Sequence, residues 1–183
     1  MKRKKADWVV LTIITMVAAL CLGITNMLTK DKIKVLAEQA AKEALLAIFP
    51  HASEFVNDDT LSLPENIDQY KVAKQSDGTV LGYIGQITTR GFAGPVEVLI
   101  GVDSKGVITG LNAGGPDFSE TPGIGTKVQE PEFTNLFVNL NASPSTVDTI
   151  SGSTVTSKSV IQGATTVYEF IMNNLGLEIA TSI

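Results

Sequence analysis

Thr79 to Asn112 reads TVLGYIGQITTRGFAGPVEVLIGVDSKGVITGLN, three β-prone runs separated by two turns. Thr79 to Thr89 alternates as a strand does, and Gly82 and Gly85 within it mark bends or places where another group comes close. Gly91 to Pro95, GFAGP, is a loop by composition. Val96 to Val102 is nearly all apolar, the pattern of a central strand. Asp103-Ser104-Lys105-Gly106 is a hairpin turn leading into Val107 to Asn112. A shorter run precedes them, Tyr70 to Gln75, followed by the turn Ser76-Asp77-Gly78. The expectation is an antiparallel meander of about four strands.

Helical signals lie on both sides of the meander. Upstream, Ile33, Leu36, Ala37, Ala40, Ala44, Leu45 and Ile48 recur at helical spacing from Lys30 to Phe49, and Pro50 ends the run. Ser53 to Gln69 is polar, contains Pro64 and reads as loop. Downstream, Ala113 to Gly125 is too rich in glycine and proline for a regular element. Glu130 to Leu140 reads as a short helix, and Asn141 to Thr146 as linker. Val155 to Leu175 is a long helix with Val160, Ala164, Val167, Ile171 and Leu175 on one stripe, stopped by Gly176. The fold class is α+β, an antiparallel sheet flanked by helices.

The first residues are of another kind. Trp8 to Leu28, WVVLTIITMVAALCLGITNML, carries no charge, and its roughly 21 residues make about 31 Å of helix, the thickness of a hydrocarbon core. Lys2, Arg3, Lys4 and Lys5 precede it against Asp7 alone, so the formal net charge of -5 understates how acidic the rest is. The run exceeds the apolar core of a signal peptide, and TNMLTKDK offers no A-x-A cleavage site. AALC around Cys21 makes a poor lipoprotein signal. The expectation is an uncleaved single-pass anchor through residues 8–28, with the N-terminus cytoplasmic and the body across the membrane. Residues 1–29 form a basic stub and anchor, and 30–183 the extracytoplasmic domain. An acidic body without a basic stripe argues against nucleic acid.

Cys21 and His51 are the only residues of their kinds. A disulfide within the chain and a metal site built on Cys or His are both excluded. What remains unusual is DTISGSTVTSKSV, Asp148 to Val160, with hydroxyls crowded around Gly152 at the start of the last helix. One reading is a helix N-cap by Ser151, Ser153 or Thr154. A nucleophilic hydrolase lacks its parts: there is no G-x-S-x-G elbow, Val155 stands three residues before Lys158 where S-x-x-K needs Ser, and His51 is a poor base. An anion site is the third reading, since a glycine followed by hydroxyls at a helix start offers free N–H groups and the positive end of the dipole. The spacing is not that of a P-loop.

DTISGSTVT, Asp148 to Thr156, resembles the flavinylation motif D-x-x-[ST]-G-A-T-x-[ST] of FMN-binding domains. Glu120 to Gly125, ETPGIG, resembles the E-T-P-G-L-G loop of the same domains. Gly91 to Asp103, GFAGPVEVLIGVD, resembles their G-Y-G-G-P-I strand entry. With the basic N-terminus and single anchor, the likeness extends to the G subunits of Rnf-type electron-transport complexes. The C subunits of sodium-pumping NADH:quinone reductases share the motifs on longer chains.

The resemblance implies FMN joined through its phosphate to Thr154 as a phosphoester. It implies a cofactor pocket of Glu120, Thr121, Gly123, Ile124, Gly125, Ser151, Gly152, Ser153 and Thr156. Asp148, Ser151 and Gly152 would be read by the flavin transferase that attaches FMN. No residue is expected to act as a general acid or base, and no metal is expected. The implied function is a redox subunit of an ion-translocating ferredoxin:NAD oxidoreductase, with other membrane subunits as partners. A stand-alone extracytoplasmic carrier and a non-redox, membrane-tethered interaction module are the alternatives. Two departures stand out: Ser153 occupies the Ala position of S-G-A-T and adds a second hydroxyl, and Phe118 occupies a position where the family often has His.

Overall fold

The computed structural model describes residues 4–58 and 61–177. The chain divides into two compact units, Met1–Ala40 and Ala41–Ile183. The first contains most of α1 (Lys4–Ile48), the one helix among the described residues long and apolar enough to cross a membrane, by length and composition. Its most apolar window has a mean hydropathy of 2.3, and none of that window is buried. The sequence predicts an anchor and a separate helix from Lys30, whereas α1 runs through without a break. No Gly or Pro stands between Leu28 and Lys30 to stop it, and Thr25 and Thr29 donate their hydroxyls to the carbonyls of Cys21 and Thr25, at 2.8 and 2.6 Å. Only the lower end of the predicted stripe is covered: Ile33 and Leu36 are exposed, while Ile48 and the adjoining Phe49 are buried.

The second unit is built on a five-stranded antiparallel meander in the order β1 (Glu54–Asn57), β2 (Gln69–Lys74), β3 (Val80–Arg90), β4 (Pro95–Asp103), β5 (Ile108–Gly114). Four of these are the predicted strands, each within two residues of its expected ends. β1 corrects the reading of Ser53 to Gln69 as loop throughout. Four residues carry too little alternation to register in sequence; EFVN becomes a strand because β2 offers it a free edge, with Phe55 opposite Ala73 and Val56 opposite Val72.

α3 (Thr154–Leu175) covers one face of the sheet. Val160, Ala164, Val167 and Ile171 are fully buried among Val96, Val98, Ile100 and Val102 of β4. The close approach predicted at Gly85 is made by Val167, whose Cγ1 fills the space a side chain there would take. Tyr168 donates its hydroxyl to the carbonyl of Gly106 at 3.0 Å, so its polar end is satisfied inside the core. Gly176 ends the helix at φ 65°, as predicted.

The opposite face receives the end of α1. Ile48 and Phe49 pack with Ala73, Ile84 and Leu99. Glycines leave room for them: a Cβ on Gly82 would strike the Phe49 ring, and one on Gly101 would strike Ile48. Gly101 is paired directly with Gly110 on β5, which also lies against Ile48.

The predicted helix from Glu130 to Leu140 shrinks to α2 (Pro131–Thr134), preceded by a short 3-10 helix at Gly125–Gln129. The competing interaction is with β5. Asn139, at φ 63°, donates its N–H to Ile108 O at 2.8 Å, and the Ile108 N–H donates to Leu140 O at 3.0 Å, which pulls the backbone out of helical geometry. Phe133 and Phe137 still reach the core, their rings edge to face at 5.3 Å.

Candidate functional site

Three segments far apart in sequence meet at the leading end of α3. They are the β3–β4 loop around Phe92, the Glu120–Gly125 loop, and the turn Gly152–Thr156. Together they line a cavity of about 430 Å³ with Phe92, Glu120, Thr121, Ile124, Gly125, Gly152, Ser153, Thr154, Val155 and Thr156. That volume lies within the ~300–1,000 Å³ of small-molecule sites. A larger concavity of about 520 Å³ on Thr88, Thr89, Arg90, Ala93, Gly94 and Pro95 contains none of the predicted site residues and has only exposed or half-buried walls.

The turn before α3 is built by Gly152 at φ 82°, a conformation that a side chain would strain. The Ser153 N–H donates to Ile150 O at 3.0 Å, closing the turn. Ser157 then staples it to the helix: its Oγ accepts the Ile150 N–H at 3.0 Å and donates to Ser153 O at 2.9 Å. Ser153 is the N-cap residue by position, yet its side chain makes no capping hydrogen bond. Its hydroxyl is buried and unpartnered, with the residue 5% exposed. The surplus of hydroxyls is therefore not spent on capping by Ser153. The N–H groups of the first turn of a helix have no intrahelical partner, so the start of this 22-residue helix presents donors and positive potential.

Thr154 begins α3 and is exposed at the cavity wall. Thr156, buried, accepts the Phe92 N–H on Oγ1 at 3.4 Å. Glu120 is 5% exposed, and its Oε1 accepts the Ala93 N–H at 3.0 Å. The Thr121 carbonyl turns the loop by accepting the Ile124 N–H at 3.1 Å, and the Gly123 N–H donates to Thr126 Oγ1 at 2.8 Å.

Of the residues the sequence nominates, Glu120, Thr121, Ile124, Gly125, Gly152, Ser153, Thr154 and Thr156 share the cavity. Gly123, Ser151 and Asp148 do not line it; all three are exposed, with Gly123 shaping its turn at φ 74°. Phe118, where the family often has His, is half-buried against the main core and does not line the cavity. Two lining residues were not nominated. Phe92 is 75% exposed, and Val155 is 56% exposed. The signal for Phe92 was an aromatic between glycines in GFAGP; for Val155 it was an apolar residue off the buried stripe of its helix. With Ile124, 51% exposed, they make an apolar rim beside the polar helix start.

This division fits a ligand with a flat apolar portion and an anionic end.

The FMN-binding domain model matches residues 91–169, a span that includes all three segments of the cavity. The G subunit of an ion-translocating oxidoreductase complex from Methanosarcina acetivorans is 30% identical, covering 89% of this chain and 92% of that protein. The G subunit of the Na(+)-translocating ferredoxin:NAD(+) oxidoreductase complex from Acetobacterium woodii is 29% identical, covering 88% and 92%. Among solved structures, the C subunit of the Na(+)-translocating NADH-quinone reductase from Parabacteroides distasonis is 29% identical, covering 60% of this chain and 64% of that one, with a TM-score of 0.49. By its relatives over nine-tenths of its length and the domain in its second unit, this chain belongs to the FMN-binding G subunits of ion-translocating oxidoreductase complexes.

Proposed function

We propose that this protein is a membrane-anchored flavoprotein that bears FMN on Thr154 and relays electrons within an Rnf-type ion-translocating ferredoxin:NAD oxidoreductase. The observation that carries this reading is the cavity, in which the Glu120–Gly125 loop, the Gly152–Thr156 turn and Phe92 converge. The relatives that span nearly the whole chain are G subunits, which favours that assignment over the C subunit of a quinone reductase and over a solitary carrier. An interaction module with a merely capped helix loses its support, because the Ser153 side chain does no capping.

The choice of Thr154 over Ser153 follows from access. An esterified oxygen must be reached by a transferase, and Thr154 is exposed where the Ser153 hydroxyl is buried. A phosphodiester keeps one negative charge, which the helix N-terminus favours by about 0.3–1 kcal/mol. Asp148, Ser151 and Gly152 are exposed on the turn just ahead, suited to recognition by that transferase. Phe92, Ile124 and Val155 exclude water from the ring, and the glycines admit it close to backbone. FMN, when bound, supplies the redox chemistry; the chain supplies position and electrostatics. No side chain is assigned as a general acid or base, so catalysis belongs to the assembled complex.

Residues 1–29 serve as cytoplasmic stub and anchor, and residues 30–183 as the extracytoplasmic domain, with the positive-inside rule setting the direction. There a covalent link prevents loss of a dissociated cofactor.

The deciding experiment is intact mass spectrometry of the full chain made alongside a flavin transferase. The expected mass is that of the chain plus FMN less one water, with the modification on the tryptic peptide containing Thr154. An unmodified, colourless protein would overturn the electron-carrier reading. Copurification with polytopic membrane subunits tests the complex.

A further inference from the structure

Two successive backbone N–H groups of the β3–β4 loop are each held by a side-chain oxygen from a different wall of the cavity. Phe92 N–H donates to Thr156 of α3 at 3.4 Å, and Ala93 N–H donates to Glu120 at 3.0 Å. Sequence spacing gives no hint of this arrangement, since the three segments belong to separate parts of the chain. Its effect is to fix the backbone on both sides of the Phe92 Cα, and with it the direction of a ring that is otherwise 75% exposed.

Glu120 is enclosed to an unusual degree for a carboxylate. A Cβ on Gly91 would strike its Oε1, and a Cβ on Gly125 would strike its Oε2 and its own Cβ. The side chain thus lies in a slot between the two loops, with glycine on both sides. Burying a carboxylate is costly unless it is well bonded. A charge-assisted hydrogen bond to backbone is the stronger kind, and here it ties one wall of the cavity to another.

We infer that Glu120 is a positioning residue and not a cofactor ligand: it clamps the Phe92 loop to the Glu120–Gly125 loop and so sets how far apart Phe92 and Ile124 stand on the rim of the cavity that would receive the flavin. This rests on the flavin reading above. The test uses the full chain in detergent, with and without transferase-attached FMN. In Glu120→Ala the attached flavin remains in the intact mass, but its visible circular dichroism and fluorescence anisotropy are lost. In the flavin-free protein, the Ala93 amide loses its hydrogen-exchange protection. Glu120→Gln, which keeps a carbonyl oxygen for the Ala93 N–H, restores all three signals. If Glu120→Ala does not fold, Gly125→Ala, which displaces the carboxylate without removing it, gives the same losses. Wild-type signals in Glu120→Ala, or in a folded Gly125→Ala, would overturn the inference. So would a Glu120→Gln that behaves as Glu120→Ala does. A parent protein with no added flavin mass would sink the flavin reading instead, and Ala93 exchange would still decide whether the clamp exists.

Discussion

The backbone N–H of Ile150 donates to the hydroxyl of Ser157 at 3.0 Å, which ties the turn that carries Gly152 to the first turn of α3. Ser157 is wholly buried and spends its own proton on the Ser153 carbonyl at 2.9 Å. The helix start is therefore held in shape by a residue that never lines the cavity. Ser157→Ala leaves the Ile150 N–H without that acceptor, at a cost of about 1–3 kcal/mol. Urea denaturation should show the loss in the midpoint, and flavin attachment by the transferase should slow in the same variant.

Thr154 and Ser153 should separate cleanly. Thr154→Val is expected to abolish the added flavin mass. Ser153→Ala removes a buried hydroxyl that has no partner, so it should retain full flavin attachment and raise stability by about 1 kcal/mol or less. Flavin found on Ser153 in the Thr154→Val variant would show that the linkage was assigned to the wrong hydroxyl.

Gly101 and Gly110 face each other on β4 and β5 beneath Ile48. Gly101→Val places a branched side chain where Ile48 and Phe49 already are. The overpacking should cost about 1–3 kcal/mol, read as a lower thermal midpoint for the sheet domain. Phe49→Ala, which empties the same place, should cost about 3–5 kcal/mol. Neither variant touches the cavity, so flavin attachment to the folded fraction should be unaltered.

Glu97 titrates above the ordinary carboxylate value, first because it is partly buried and then because Asp68 and Asp117 lie near it. In the folded state it keeps its proton to a higher pH than in the unfolded chain. The stability it contributes is whole below the ordinary carboxylate value and is lost as pH rises through the elevated one. Glu97→Gln should flatten that decline, and the side chain can still pair with the Gln86 amide that now donates to Glu97 at 3.0 Å. A pH series of denaturation midpoints checks it; equal slopes in both proteins would contradict the assignment.

The strands of the meander were legible because each is bounded by turn residues whose conformations are local. Gly78 and Gly106 adopt φ values of 85° and 86°, and Asp77 and Asp103 bond the backbone two residues on. α3 was legible because its buried stripe repeats with the helical period. The apolar run of α1 needs only its own composition. β1 and the truncation of α2 were not legible, because both are decided by a hydrogen-bonding edge elsewhere: β2 for Glu54–Asn57, and Ile108 for Asn139 and Leu140.

The site divides in the same way. The amino-acid sequence by itself determined which residue types are present in SGST and ETPG and which could accept a phosphoester. The tertiary structure alone decided that Phe92 and Val155 join them, that the Ser153 hydroxyl is buried while Thr154 is exposed, and that Glu120 bonds the Phe92 loop. The physical reason is range. Turn chemistry and helix periodicity act over a few residues, whereas burial and the hydrogen bond from Ala93 to Glu120 exist only once the sheet has brought distant segments to one end of α3.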